Sequence, residues 1–207
     1  SGGIDSAVVS TLCAMTEMPV IVLNMPIRQG GAEYERAVEH IEWLKVNFEN
    51  VASDEVNLTN SFSAIETTLP LPIQQNHLAM ANTRSRLRMI TLYAYATQYK
   101  MLVAGTGNKV EDFGVGFFTK YGDGGVDISP IADLMKSEVY ALGAELGIID
   151  SILKARPTDG LWADGRTDED QIGATYDELE WAMNYLAKKN GIGMIELEIL
   201  TARQKEV

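Results

Sequence analysis

The chain has 207 residues, 46% of them hydrophobic, and a formal net charge of −12 from 17 basic and 29 acidic side chains. That length fits a single domain over 1–207 with a substantial core, and the acidity argues against broad contact with nucleic acid or an anionic membrane. No apolar stretch approaches the roughly 18–20 residues that a membrane helix needs, and the lone Cys13 cannot form an internal disulfide, in keeping with a reducing cytoplasm.

The chain opens with Ser1-Gly2-Gly3-Ile4-Asp5-Ser6, then the apolar run Ala7-Val8-Val9. Two glycines let backbone N–H groups fold closely enough to face an anion, and Ser6 is placed to start a helix whose dipole end favours phosphate oxygens. The first residue lies inside a loop that ought to follow a strand, so a further N-terminal segment with the first core strand is expected ahead of Ser1. Residues 19–26, β-branched between prolines, read as a buried strand. Tyr34, Ala37, Val38, Ile41, Leu44 and Phe48 recur at helical spacing over 33–48. Residues 51–58 read as a second strand, 61–68 as a short helix stopped by Pro70 and Pro72, and 78–100 as a long helix. A further apolar strand is expected over 101–105, a helix over 136–146 closed by Gly147, and a last helix opened by the capping-box spacing of Thr175 and Glu178. Strands alternating with helices predict an α/β fold, a doubly wound parallel sheet with helices on both faces, with ligands at the carboxyl ends of the strands. Residues 156–167, broken by Pro157, Gly160 and Gly165, read as a mobile loop that orders over bound substrates.

Asp5 would repel a phosphate unless a cation intervenes, which points to Mg²⁺. Gly105-Thr106-Gly107-Asn108-Lys109-Val110-Glu111 follows a strand, and Glu111 could complete the same metal site or be a solvated glutamate at a helix start. The run 117–127 (Phe-Phe-Thr-Lys-Tyr-Gly-Asp-Gly-Gly-Val-Asp) packs aromatics, a cation and carboxylates among glycines, which suits a ring-stacking pocket with polar selectors, or a decorated turn. On the long helix Arg84 and Arg88 share a face while Arg86 projects elsewhere; they form a cationic cluster or pair with surface acids. Lys136 could reach a terminal phosphate or be merely solvated. His40 and His77 stand in no metal or triad spacing.

Ser-Gly-Gly-x-Asp-Ser resembles the pyrophosphate loop of the ATP pyrophosphatases. The narrower Phe-Thr-Lys-Tyr-Gly-Asp-Gly at 118–124, followed by Asp127, Pro130, Leu134 and Lys136, resembles the ammonia-dependent NAD synthetases. Asn-x-x-x-Arg-x-Arg-Met at 82–89, Gly-Thr-x-x-x-x-Glu at 105–111, Pro157-Thr158, Asp168-Glu169, Gly173 and Tyr176 agree with it. Asn24 stands where some members carry an arginine, and a His-Lys-Arg run near the C-terminus of some members is missing.

The resemblance implies that ATP adenylates the nicotinate carboxylate of deamido-NAD with release of pyrophosphate, and that ammonia then displaces AMP to give NAD. It implies that Ser1, Gly2, Gly3, Asp5 and Ser6 hold ATP phosphates, together with Arg86, Thr106, Lys136 and Thr158. Asp5, Lys136 and Thr158 would be the catalytic group and Asp5 with Glu111 the Mg²⁺ ligands. Phe117 would flank the nicotinate ring, while Lys120, Asp123 and Asp127 select deamido-NAD. A cytoplasmic homodimer with no nucleic-acid or membrane partner is implied. The alternatives are the synthetase domain of a glutamine-dependent NAD synthetase, another adenylating ATP pyrophosphatase, or a non-catalytic ATP-binding α/β module.

Overall fold

The computed structural model describes residues 2–29, 31–158 and 167–191, so Ser1 and most of the loop expected over 156–167 lie outside the described residues. In chain order the elements are α1 (Ile4–Ala14), β1 (Val20–Asn24), α2 (Ala32–Asn47), β2 (Val51–Glu55), α3 (Thr59–Thr68), α4 (Leu71–Gln74) and α5 (His77–Tyr99). A π-helical turn (Lys109–Val115) follows, then α6 (Lys136–Glu145), α7 (Asp150–Leu153), α8 (Asp168–Ile172) and α9 (Tyr176–Gly191).

β1 and β2 pair in parallel, from Val20 opposite Val51 to Asn24 opposite Glu55, with α2 as the crossover between them. This is the α/β arrangement of a parallel sheet and helices that the alternating pattern predicts. Residues 101–105, expected as a strand, form no regular strand. Their one ladder contact is a parallel bridge between Ala104 and Ile128. The reason is a distant side chain: the Val103 N–H, which a neighbouring strand would take, donates instead to Asp127 Oδ2 at 2.8 Å.

The first helix also starts earlier than expected. It begins at Ile4 behind Gly3, and the Ser6 hydroxyl donates to the Gly3 carbonyl at 3.0 Å rather than capping the helix. Prolines 70 and 72 do stop α3, but Pro72 then sits in the first turn of α4, where its missing N–H costs no hydrogen bond. Farther along the chain, Gly147 takes φ +72 just past α6, as a helix terminator should.

Three apolar clusters fix the frame. Ile4, Val8, Ile131, Val139, Ile148 and Ile152 join α1 to α6 and α7. Their approach depends on Gly143, where an added Cβ would lie 2.7 Å from Ile4 Cδ1. Ile27, Leu58, Phe62 and Met80 pack the carboxyl end of β1 against α3 and α5. Val110, Met135, Tyr176 and Leu179 dock α9 on the π-helical turn and the start of α6. The N-termini of α1 and α6 and the π-helical turn are thereby brought to one place.

Candidate active site

Lys136, the first residue of α6, is 3% exposed, and its ammonium donates to Asp5 Oδ2 at 2.6 Å and to Glu111 Oε1 at 2.8 Å. A lysine head is buried only when its charge is met, and here two carboxylates meet it. Asp5 comes from the first turn of α1, and Asn108 Nδ2 donates to its other oxygen at 3.1 Å. Asn108, fully buried, also caps the π-helical turn: its Oδ1 accepts from the N–H groups of Val110 and Glu111. One asparagine therefore orients both carboxylates. Glu111 Oε1 accepts a second bond from the Tyr176 hydroxyl at 2.5 Å, and the Tyr176 ring centroid lies 4.9 Å from the Lys136 nitrogen.

The electrostatics follow from this packing. Burial would lower the Lys136 pKa, but Asp5 and Glu111 outweigh it and hold the ammonium charged, above the ordinary lysine value. Burial raises Asp5, with repulsion from Glu111 adding to it and Lys136 opposing it. Burial also pushes Glu111 up, yet Lys136 and the Tyr176 and Asn108 hydrogen bonds bring it below its usual value. Tyr176 is raised by burial and by Glu111, so its hydroxyl stays protonated as a donor. Burial, then the charges of Glu111, Asp123 and Asp5, push Asp112 up to about 6.

The opening loop folds back on α2. Gly2 adopts φ +69, Arg36 Nε donates to its carbonyl at 3.1 Å, and an added Cβ would meet the Glu33 carbonyl oxygen. Gly3 is the N-cap of α1, Thr106 is exposed beyond the Ala104 bridge, and Thr158 is partly buried at the edge of the described residues.

The stretch 117–127 forms a second group. Asp123 organises it: its Oδ1 accepts from Ser85 Oγ at 2.5 Å and from the Thr119 N–H at 3.1 Å, while its own N–H donates back to Ser85 Oγ. Asp127 accepts from the Tyr93 hydroxyl at 3.0 Å as well as from Val103. Both carboxylates that the family resemblance assigns to substrate selection are thus engaged in holding the loop. Lys120 is exposed, with its ammonium 5.0 Å from the Tyr121 ring. Phe117 is partly buried, and its N–H donates to the Glu111 carbonyl at 2.8 Å, which ties this stretch to the carboxylate cluster. The three arginines separate as their helical spacing predicts. Arg84 lies over the Phe62 ring and Arg88 donates to Met25 O and Gln29 Oε1, whereas Arg86 donates to the Lys120 carbonyl at 3.2 Å.

Asp5, Glu111 and Lys136 therefore meet, and Arg86 joins the 117–127 stretch. Sequence reasoning missed Asn108, Ser85 and Tyr93. It matched Tyr176 to the family without giving it a role. The signal for Asn108 was present, an asparagine three residues before a glutamate at a helix start.

The model of the NAD synthase family matches residues 1–205. This chain belongs to the NAD synthase family. An NH(3)-dependent NAD(+) synthetase from Methanococcoides burtonii is 38% identical over 202 residues, covering 96% of this chain and 74% of the relative. Of solved structures, NMN synthetase from Francisella tularensis is 35% identical with TM-score 0.83, covering all of this chain and 78% of that one. NH3-dependent NAD synthetase from Campylobacter jejuni, bound to nitrate, is 26% identical with TM-score 0.75, covering all of this chain and 81% of that one. The chain is accordingly an enzyme, a ligase that forms a carbon–nitrogen bond with ATP as co-substrate. Its family reaction is the ammonia-dependent amidation of deamido-NAD to NAD, as the sequence motifs lead one to expect. A non-catalytic nucleotide-binding module is not favoured.

Proposed function

We propose that this chain carries out both halves of that amidation at the cluster of Asp5, Glu111 and Lys136. The single observation that carries this reading is the meeting of two carboxylates and one buried ammonium beside the N-terminus of α1. A carboxylate is a poor electrophile because oxide would have to leave. In the first half a nicotinate oxygen bonds to the α-phosphorus of ATP and pyrophosphate departs. In the second half ammonia bonds to the carboxyl carbon, AMP departs, and the nitrogen loses a proton. Positioning and charge stabilisation carry the rate, with no protein nucleophile.

The donor set fits Mg²⁺. Asp5 and Glu111 already converge on one cation, and among the described residues no third His, Cys, Asp or Glu joins them in a metal cluster. Two carboxylates, with phosphate and water oxygens completing the shell, is how Mg²⁺ is generally held. When bound there, the ion offsets phosphate charge at the α-phosphorus. Lys136 stands beside both ligands and supplies positive charge to the departing pyrophosphate, together with the opening loop from Ser1 to Ser6, Thr106 and Thr158. Arg86 reaches the nucleotide from the side of the 117–127 stretch. Lys120 faces solvent as the cation for the nicotinate carboxylate, Phe117 flanks the ring, and Asp123 and Asp127 set the shape of that pocket.

The domain is read as one unit over 1–207, cytoplasmic and homodimeric. The dimer reading is supported by α5, in which Met80, Ala81, Ser85 and Ala96 are the buried residues of a 23-residue helix while Leu78, Ile90 and Tyr99 are exposed.

A second substrate is favoured by one observation: the Francisella NMN synthetase resembles this chain more than the Campylobacter NAD synthetase does. The same chemistry would then act on the deamidated mononucleotide. Incubation with ATP, Mg²⁺, ammonium or glutamine, and either deamido-NAD or nicotinate mononucleotide decides the matter. Release of AMP and pyrophosphate with NAD from ammonium and the dinucleotide is the expected result; amide formed from the mononucleotide alone replaces the dinucleotide reading. Calorimetry tests Lys120: Lys120→Ala should weaken the deamidated substrate by about tenfold or more, the worth of a charged hydrogen bond, and leave ATP within a few-fold.

A further inference from the structure

We propose that Tyr176 is a positioning residue that sets the orientation of the Glu111 carboxylate. The inference rests on the reading that places Glu111 at the reacting centre. Tyr176 opens α9 and is 7% exposed. Its ring packs in the cluster with Val110 and Met135, the residues directly preceding Glu111 and Lys136. A phenylalanine would fill that apolar cluster equally well, so packing does not account for the hydroxyl. Burying a hydroxyl costs free energy unless a partner meets it, and the partner here is Glu111 Oε1 at 2.5 Å. Asp168 Oδ2 stands farther off, at 3.3 Å, and a phenol has one hydrogen to give. The proton goes to Glu111.

Glu111 Oε1 thus accepts from two donors on different elements, Lys136 on α6 and Tyr176 on α9. Two fixed donors on one oxygen hold the carboxylate against rotation about its last bond, and the ring face behind the Lys136 ammonium holds the other partner. The tyrosine is itself held. Its N–H donates to Glu169 Oε1 at 2.9 Å, and Glu178 accepts from the Thr175 N–H at the mouth of the helix. The action of the Tyr176 hydroxyl passes through Glu111, while the ring face against Lys136 is one that a phenylalanine keeps.

The test is a double-mutant cycle on the full chain. Wild type, Tyr176→Phe, Glu111→Gln and the double variant are assayed at saturating Mg²⁺ for kcat and for KM of ATP and deamido-NAD, with a melting curve for each. Tyr176→Phe keeps the ring and should lower kcat by roughly tenfold or more, with both KM values within about threefold and the melting temperature close to wild type. In the Glu111→Gln background the same change should cost less than about twofold, because the group it acts through is already gone. Mn²⁺ titrated calorimetrically with a non-hydrolysable ATP analogue gives a readout without turnover: Tyr176→Phe should weaken the ion severalfold, and should not in the Glu111→Gln background. Equal losses in both backgrounds, or wild-type kcat in Tyr176→Phe, overturn the positioning role alone. Wild-type kcat in Glu111→Gln instead removes Glu111 from the reacting centre and overturns the underlying reading with it.

Discussion

The Lys136 ammonium lies 2.6 Å from Asp5 Oδ2 although 131 positions separate the two residues. The contact closes the first turn of α6 on the first turn of α1, and the same nitrogen reaches Glu111. A pair so buried is costly to break, because the partners left behind keep their charge without their counter-ion.

Lys136→Met should therefore destabilise the free protein by about 3–5 kcal/mol, the usual cost of removing one partner from a buried ion pair. Urea unfolding at pH 7.5 measures it. The two carboxylates left behind should also bind a divalent cation more readily, so added Mg²⁺ should raise the midpoint of Lys136→Met more than that of wild type. A variant as stable as wild type and indifferent to Mg²⁺ would show that the lysine is not their principal counter-charge.

His40 makes folding acid-sensitive. It is 5% exposed, shares a 3.0 Å hydrogen bond with Ser10 Oγ on α1, stacks on Trp43, and has a pKa lowered to about 4 chiefly by burial. The unfolded chain takes up this proton near pH 6.5 and the folded one only near 4. Stability is therefore whole above pH 6.5 and lost as pH falls toward 4. At pH 5 the loss from this group should be about 2 kcal/mol. Comparing unfolding free energies of wild type and His40→Gln at pH 7.5 and pH 5 isolates it, since the variant lacks the titration; equal slopes in the two proteins contradict the assignment.

Asp112 has the opposite sign. Its pKa of about 6 lies above the 3.8 of a free aspartate, so the native state keeps this proton longer, and the stability it costs grows as pH rises from 3.8 and is complete above about 6. Asp112→Asn should accordingly raise the melting temperature at pH 8 and raise it about half as much at pH 5. Thermal scans at both pH values read the difference, and a variant destabilised at pH 8 would show that the carboxylate is needed in its charged form.

Gly2→Ala should destabilise by more than about 2 kcal/mol, since the left-handed backbone alone costs an alanine roughly 1–2 kcal/mol and the new Cβ would strike the Glu33 carbonyl as well. Gly147→Ala is the control. Its φ is also positive, +72, but nothing lies within 4 Å of the added carbon, so only the conformational cost of roughly 1–2 kcal/mol should appear. Equal losses in the two variants, measured by denaturant unfolding, would mean that the contact with α2 yields freely.

Most elements were legible in the sequence because their signals are local. Val20 to Leu23 are β-branched or aliphatic without interruption, and the period of Ala37, Ile41 and Leu44 needs only one helix to be read. The strand expected over 101–105 was not decided locally. The run is apolar, but whether Val103 joins a ladder depends on a carboxylate 24 positions away. The π-helical turn was equally hidden, since it rests on Asn108 satisfying two N–H groups while donating to Asp5.

The division is sharpest at the site. By itself the sequence determined the α/β class and the family, and it singled out the opening glycine loop, the carboxylates and the lysine that are proposed for the reaction, because these depend on residue type and short-range spacing. Only the tertiary structure decided that Lys136 serves as the shared counter-ion of Asp5 and Glu111, that Asp127 is engaged by Tyr93 and Val103, and that the Tyr176 hydroxyl ends on Glu111. The physical reason is that a buried charge or hydroxyl takes whichever complementary group the packing of distant elements brings within hydrogen-bond reach, and spacing along the chain does not encode that distance.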